Sequence, residues 1–358
     1  MNEKRVCGEL SSESHRLVFV HPFDAIAGSQ RVGSDIIHAL RSDGVRVKVE
    51  LGFGTNGFLS KLDNVSRFSK VNKVRTRILL YPLWLLWMNL IGLVYLVRRD
   101  MLWANSVHAA PAVFLPLLFS SGRVIFHVHE IEFPKIYLWF LRFAEKRGAT
   151  LLCVSDYHRQ ALGLGARVLY NCVQCCDPAV DLTERDELVF VGATSPAKGF
   201  SLFLDVVDAL STSTAIKPVA YLSDRTRSDP LLLERAGALG VRINFGETDT
   251  NVMYRHAFLS LVLSDPGICS ETFSLVSVES ISHLVPVGCA GMGVAREVLG
   301  EAQAFDVPDR SPQKLAEQVS QLWGDQGRYA YLIEACRVRR ARYSFARFQR
   351  DVRHIAQL

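Results

Sequence analysis

The stretch Leu259–Ser280 reads LSLVLSDPGICSETFSLVSVES. It opens with an apolar run closed by Ser264-Asp265-Pro266-Gly267, the pattern of a strand buried on both faces and ended by a turn. Beyond the turn, two carboxylates, Glu271 and Glu279, stand eight positions apart with no other charge between them. Ser274 is placed to cap a helix that begins behind it, although the alternation of apolar residues and serines also fits a strand. As a helix, the segment sets the amides of Phe273, Ser274 and Leu275 at its positive end, where an anion is bound. Glu271 then sits on the preceding loop and Glu279 more than one turn inside the helix. On that reading the two acids face a ligand rich in hydroxyls, one placed to hold a sugar and the other to hold the hydroxyls of a ribose. The plainer alternative is that both acids end a buried element and face water.

The same alternation of strand-like and helix-like runs extends through the chain. RLVFVHPF, VRVKVELGF, DMLWANS, RVIFHVHE, TLLCVS and RVLYN precede residue 172, and ELVFVG, PVAYLS, VRINFG, LSLVLSD, VPVGCA and AQAFDV follow residue 186. Nearly continuous apolar strands imply parallel sheets covered on both faces. Phe203, Val206, Val207 and Leu210 repeat at helical spacing, and Ser311-Pro312 marks another helix start. The expectation is an α/β protein with two doubly wound Rossmann-like domains, their strand ends facing each other across a cleft. The domains are expected at 1–175 and 176–340, with a C-terminal helix in 341–358 packing back on the first. The polar, aperiodic stretch Cys176–Glu187 supplies the break.

A chain of 358 residues accommodates two such domains. Its charge is uneven: residues 1–170 hold 22 Lys and Arg against 13 Asp and Glu, and the remainder 19 against 23. A basic first half implies contact with an anionic surface. Ile78–Val97 is a twenty-residue run without charge, preceded by six Lys and Arg in Lys61–Arg77 and followed by Arg98-Arg99. Its length would just span a bilayer. Pro82, Asn89 and Gly92 within it, and basic flanks on both sides, instead fit a helix lying on a membrane or half buried against its own domain. Eight cysteines without a signal-peptide pattern imply free thiols in a reducing cytoplasm. The cluster Cys172, Cys175, Cys176 lacks a second ligand pair and reads as loop thiols rather than a zinc site.

Two further loops carry candidate chemistry. Gly28, in DAIAGSQR after the first strand, allows a tight turn, and Ser29 is a candidate cap for the helix behind it; a backbone approach to phosphate there competes with an ordinary loop–helix junction. LVFVGATSPAKGF places Gly192 and Lys198 between a strand and a helix, without the spacing of a P-loop or a dinucleotide fingerprint. Lys198 can pair with a diphosphate there, although a lone lysine at a helix start is commonly solvated. GCAGMG reads as a loop.

Taken together, these segments resemble the large fourth sequence family of retaining glycosyltransferases with the GT-B fold. ETFSLVSVES resembles its E-x7-E motif, FVGATSPAKGFSLFLDVV its V-G-R-x4-K-G segment, and VPVGCAGMGVAREVL its P-V-V-A…G-x-x-E-V segment. AGSQRVGSDIIHAL, VIFHVHE, LLCVSDYHRQAL and VLYNCV fit the amino-terminal half in order, so the resemblance covers nearly the whole chain. It implies a retaining hexosyltransferase that moves a sugar from a nucleotide-sugar donor to a lipid-linked or oligosaccharide acceptor in surface polysaccharide synthesis, peripheral on the cytoplasmic face of the cell membrane. It implies that Lys198 binds the donor diphosphate, Glu271 touches the transferred sugar near the reacting carbon, and Glu279 holds the ribose. The amides of Phe273, Ser274 and Leu275 take phosphate charge, His129 lies near the sugar on the acceptor side, and Gly28 and Gly192 bring loops close to the donor. No D-x-D motif is present, so the resemblance implies metal-independent chemistry, with no cofactor and no nucleic-acid partner. Two departures stand out: Ala193 replaces the family's arginine after V-G, and Cys172 its glycine after Asn. A sugar-nucleotide epimerase of the same fold and a non-catalytic membrane-associated homologue are the competing readings.

Overall fold

A computed structural model describes residues 16–173, 184–210 and 215–357. Cys175, Cys176 and most of the expected break at 176–187 lie outside the described residues. Among the described residues thirteen strands form two sheets: β1 (Arg16–Phe23), β2 (Arg46–Phe53), β3 (Val65–Ser69), β4 (Met101–Asn105), β5 (Val124–His127), β6 (Thr150–Cys153) and β7 (Arg167–Val168), then β8 (Glu187–Gly192), β9 (Lys217–Leu222), β10 (Arg242–Phe245), β11 (Ala257–Val262), β12 (Val287–Cys289) and β13 (Gln303–Asp306). The first sheet has the order β3-β2-β1-β4-β5-β6-β7 and the second β10-β9-β8-β11-β12-β13. The registered pairs are parallel in both, as the unbroken apolar runs require. All six residues of β11 are buried.

Each sheet reverses its strand order once, between β1 and β4 in the first and between β8 and β11 in the second. Those switch points open crevices at the carboxyl ends of the strands. The chain divides into two compact units: Met1–His127 with Phe143–Thr150 and Val352–Leu358, and Val128–Arg142 with Leu151–Asp351.

Strand β3 is not among the strands expected from sequence. VSRFS lies within the basic stretch 61–77, every residue of it is only half-buried, and it pairs only with β2. An edge strand with one neighbour needs no apolar run, so its signal is weak. The long apolar segment forms one helix, Val74–Val97, that continues through Pro82. Trp84, Met88, Gly92 and Tyr95 form its buried face. Asn89 fastens it: its amide donates to Pro111 O at 2.9 Å and its Oδ1 accepts from Leu115 N at 2.7 Å. The Tyr95 hydroxyl donates to Glu50 Oε1 at 2.5 Å and accepts from Lys48 Nζ at 2.7 Å. The opposite face, with Leu79, Leu83, Leu86, Leu90, Val94 and Val97, is exposed.

In the second unit, Phe190, Phe200, Phe203, Leu261 and Leu315 belong to one buried cluster. A second cluster gathers Phe273, Val278, Ile281, Val294 and Tyr343. His283 follows the helix Leu275–Ser282, stacks on Tyr254 at 5.5 Å and bonds Thr250 Oγ1 through Nε2 at 3.0 Å. Burial pushes its imidazole down to about 4, from 6.5. The unfolded chain therefore takes up the proton first as pH falls, so stability from neutral His283 is full above pH 6.5 and lost toward pH 4. The expected loss is about 3 kcal/mol. Urea melts at pH 7.5 and 4.5 on the native protein and His283→Gln test this: the acid-induced drop shrinks in the variant if His283 carries it, and matches the native drop if it does not.

Candidate functional site

The site is assembled at the switch point of the second sheet. Strand β8 ends at Gly192, whose carbonyl accepts from Ser223 N at 3.1 Å. A short turn, Pro196–Lys198, follows, then Gly199 at φ +76° and the helix Phe200–Ala209. A Cβ on Gly199 would stand 2.1 Å from Leu263 O, so only glycine lets this turn lie against the end of β11. Asp265 N donates to Ala197 O at 3.0 Å and fixes the approach from the other side. This explains the order Lys198-Gly199: the glycine serves the close approach and the lysine is carried to the strand end with it.

From there the Lys198 ammonium donates to Glu271 Oε1 at 2.6 Å. The same oxygen accepts from Ser264 Oγ at 2.6 Å. The Lys198 side chain is 41% exposed and that of Glu271 11%, so the pair is open on the lysine side. Two segments 73 residues apart thus meet in one ion pair.

Behind Glu271 the segment resolves as a helix. Ser274 caps it with extended backbone, accepting from Ser277 N, and the helix runs Leu275–Ser282. The amides of its first turn have no intrahelical acceptor and point out of its amino end. Phe273 and Ser274 are buried, Leu275 half-buried, and Glu279 is buried one turn in. The far end is held by two arginines that the motif search did not single out. Arg185, 3% exposed, donates to Leu284 O at 2.7 Å and His283 O at 2.8 Å, and Arg340 donates to Ser282 O at 3.3 Å. These cations satisfy terminal carbonyls and complement the negative end of the helix. No local signal marks them, because each reaches its carbonyls from a distant part of the chain.

His129 is brought beside this segment through its backbone. Thr272 Oγ1 donates to His129 O at 2.8 Å, and Ser155 Oγ donates to Thr272 O at 2.6 Å. The His129 residue is half-buried. Glu297, from the G-x-x-E-V-like segment, accepts from the amides of Asp156 at 2.6 Å and Tyr157 at 2.7 Å and from the Tyr170 hydroxyl at 2.8 Å. It anchors the helix Asp156–Leu162 and is a positioning carboxylate that the sequence reading passed over.

Gly28 belongs to the other compact unit. It is exposed and is the first residue of the helix Gly28–Ser42, at the switch point of the first sheet. Ser29 is not the cap: the helix starts two residues earlier than a Ser29 cap would set it, with Ala27 in the cap position and no side-chain cap. The loop is held instead by Asn105 at the end of β4, whose amide donates to Ser29 O at 2.9 Å. At Ala193 no cation is present. The neighbouring loop after β9 carries Arg225, whose guanidinium lies over the Phe245 ring at 5.5 Å. Asp229 N on that loop donates to Thr194 Oγ1 at 3.0 Å, tying it to the strand end that bears Ala193.

The comparisons bear on the architecture. A glycosyltransferase from Rickettsia africae superposes with a TM-score of 0.76 at 14% identity, over 96% of this chain and 99% of that one. Anabaena Alr3699/HepE in complex with UDP superposes at 0.75 with 17% identity, over 96% and 100%. The sucrose-phosphate synthase tll1590 from Thermosynechococcus elongatus gives 0.75 at 14%, over 96% and 98%. The chain has the GT-B fold. No family model matches the sequence, and no curated protein does. A GT-B assignment accounts for the two doubly wound sheets and for a site at the carboxyl ends of β8 and β11.

Proposed function

We propose that the protein is a retaining glycosyltransferase, transferring a hexose from a nucleotide-sugar to a lipid-linked saccharide in surface polysaccharide synthesis. The observation that carries this reading is the Lys198–Glu271 pair, 2.6 Å apart at a strand switch point and next to the open amino end of the helix that bears Glu279. Among proteins of similar fold, HepE of Anabaena is described in complex with UDP-glucose, and WaaB is described as a lipopolysaccharide outer core galactosyltransferase.

In this mechanism Lys198 turns from Glu271 to the donor diphosphate, and the amides at Phe273, Ser274 and Leu275 share its charge. Glu279 accepts from the ribose hydroxyls. Glu271, released from the lysine, binds the sugar and stabilises its positive charge as the bond from the anomeric carbon to phosphate oxygen breaks. The acceptor oxygen attacks from the face that the phosphate leaves, and its proton passes to the departing phosphate oxygen. Configuration is retained without a covalent glycosyl–Glu271 bond. His129 positions the sugar, Gly28 and Gly192 admit the donor to the backbone, and Arg225 replaces the cation missing at Ala193. The negative charge is met by protein cations and helix amides, so the reaction is metal-independent.

A thermal-shift screen of nucleoside diphosphates tests the reading. One of them raises the melting temperature, and Lys198→Ala weakens its binding about ten-fold or more, the cost of one charge-assisted contact. Slow release of free nucleoside diphosphate from the matching sugar donor, insensitive to EDTA, separates a transferase from an epimerase or a scaffold. No stabilisation by any nucleoside diphosphate would rule the reading out.

The acceptor side is inferred from the helix Val74–Val97. Its exposed apolar stripe lies next to the exposed Lys70, Lys73 and Arg75 and the half-buried Arg77. Its other face is bonded to its own unit, which suits a helix lying on the cytoplasmic face of the membrane. Replacing Lys70, Lys73, Arg75 and Arg77 with Glu is expected to release much of the protein from anionic vesicles while nucleotide binding persists. Unchanged vesicle binding would count against the peripheral arrangement.

A further inference from the structure

The amino-terminal ends of the first sheet's strands carry an unusual concentration of one charge. Arg16 opens β1 and Arg46 opens β2, and the two are partners in register on adjacent parallel strands. Like charges placed side by side on a sheet repel, so this arrangement is destabilising unless an anion lies between them. Arg98 and Arg99 close the long helix immediately before β4, and Arg123 precedes β5. These five arginines line one cleft of about 630 Å³, together with Asp100, Met101, Gly122, Ala356 and Gln357.

Among the described residues, Asp100 is the only acid in the lining. It is 2% exposed, and its Oδ2 stands 3.7 Å from Arg16 Nε, with no hydrogen bond to that oxygen among the described residues. Burial holds its carboxyl above the usual carboxylate range even though Arg16, Arg98 and Arg46 act to lower it. Among the described residues one carboxylate thus faces five guanidinium groups. Ordinary helix capping accounts for Arg98 at the carboxyl end of its helix and for Arg123 at the end of a short turn of helix, but not for Arg16 and Arg46, which open strands. Arg99 adopts φ +62°, a left-handed conformation that glycine or asparagine adopts more easily. The cleft lies at the opposite end of β1 and β4 from the Gly28 loop and Asn105.

We propose that this arginine cleft is a second anion site, which takes a ligand carrying two or more phosphate groups. Guanidinium forks match phosphate oxygens in pairs, and five of them exceed what a single phosphate can satisfy. A free polyphosphorylated metabolite and a lipid headgroup carrying two phosphates present the same chemistry. The proposal is independent of the transferase reading.

The test uses full-length protein carrying Lys198→Ala, which removes the donor-side cation. Calorimetric titration with inorganic pyrophosphate is expected to show binding, weakened at least ten-fold by Arg46→Gln/Arg98→Gln/Arg123→Gln. A second variant, Arg99→Gly, suits the backbone at that position and guards against a folding defect; it is expected to weaken binding several-fold with an unchanged melting temperature. Cosedimentation with phosphatidylcholine vesicles containing cardiolipin distinguishes the sources. Vesicle binding that needs the same arginines and is displaced by pyrophosphate identifies a headgroup. Arginine-dependent pyrophosphate binding with indifferent vesicle binding identifies a soluble ligand. Equal pyrophosphate affinity in all three proteins, or none in any, overturns the proposal.

Discussion

Glu271→Gln is expected to lower sugar transfer by two or more orders of magnitude while leaving nucleoside diphosphate binding within a few-fold of the native protein. The carboxylate stands on the loop before the helix Leu275–Ser282, away from the ribose position assigned to Glu279. Glutamine keeps its size and one acceptor oxygen but removes the charge that develops its full worth only as the sugar becomes cationic. An interaction confined to the transition state appears in kcat rather than in affinity. The same change frees Lys198 from its partner at 2.6 Å, so diphosphate affinity is expected to stay equal or rise slightly. The measurement is single-turnover transfer beside calorimetric binding of the nucleotide. Turnover that survives intact would make the Lys198–Glu271 pair a structural tie between β8 and β11 and remove the carboxylate from the chemistry.

Gly199→Ala is expected to destabilise the second unit by more than about 2 kcal/mol, since it combines a left-handed backbone with a backbone clash. The added Cβ meets Leu263 O at 2.1 Å and Leu263 C at 2.9 Å, atoms of a strand end that cannot swing aside. Leu263 O also accepts from Arg310 Nη2 at 3.0 Å, so any shift is felt beyond the turn. Gly240 supplies the internal control. It has a similar φ of +70°, and a Cβ there meets nothing within 4 Å. Gly240→Ala is therefore expected to cost only the conformational part, about 1 kcal/mol. Urea denaturation of the two variants reads the difference directly. Equal losses would mean that the Lys198–Gly199 turn yields to the intruding methyl and does not fix the lysine. With the larger loss, the Gly199 variant is also expected to bind nucleotide more weakly, because Lys198 is displaced from the strand end.

The parallel α/β architecture was legible because its signals are local. Continuous apolar runs such as LSLVLSD and the helical repeat of Phe203, Val206 and Val207 are set by burial and by the 3.6-residue turn, and both operate within a dozen residues. Ser274 is a clear case at the margin. Its neighbours fit either a helix or a strand, and burial of Ser277 and Ser280 beside Val278 and Ile281 shows why both patterns fit: the segment is a helix, as first read, but one buried nearly all round. Strand β3 was missed for the converse reason, since an edge strand with half-exposed residues lacks an apolar run.

The sequence by itself determined most of the elements that form, β3 excepted, and it marked Lys198, Glu271 and Glu279 as charges set in or beside otherwise apolar elements. Only the tertiary structure decided which charges meet. Lys198 reaches Glu271 across 73 residues, Arg185 reaches the end of the Glu279 helix across nearly a hundred, and Arg16, Arg46, Arg98, Arg99 and Arg123 share one cleft. Such meetings follow from strand order, and strand order is fixed by which apolar faces pack together over the whole chain. A charge carries no local periodicity that records its partner, so the pairing emerges only when the sheets close.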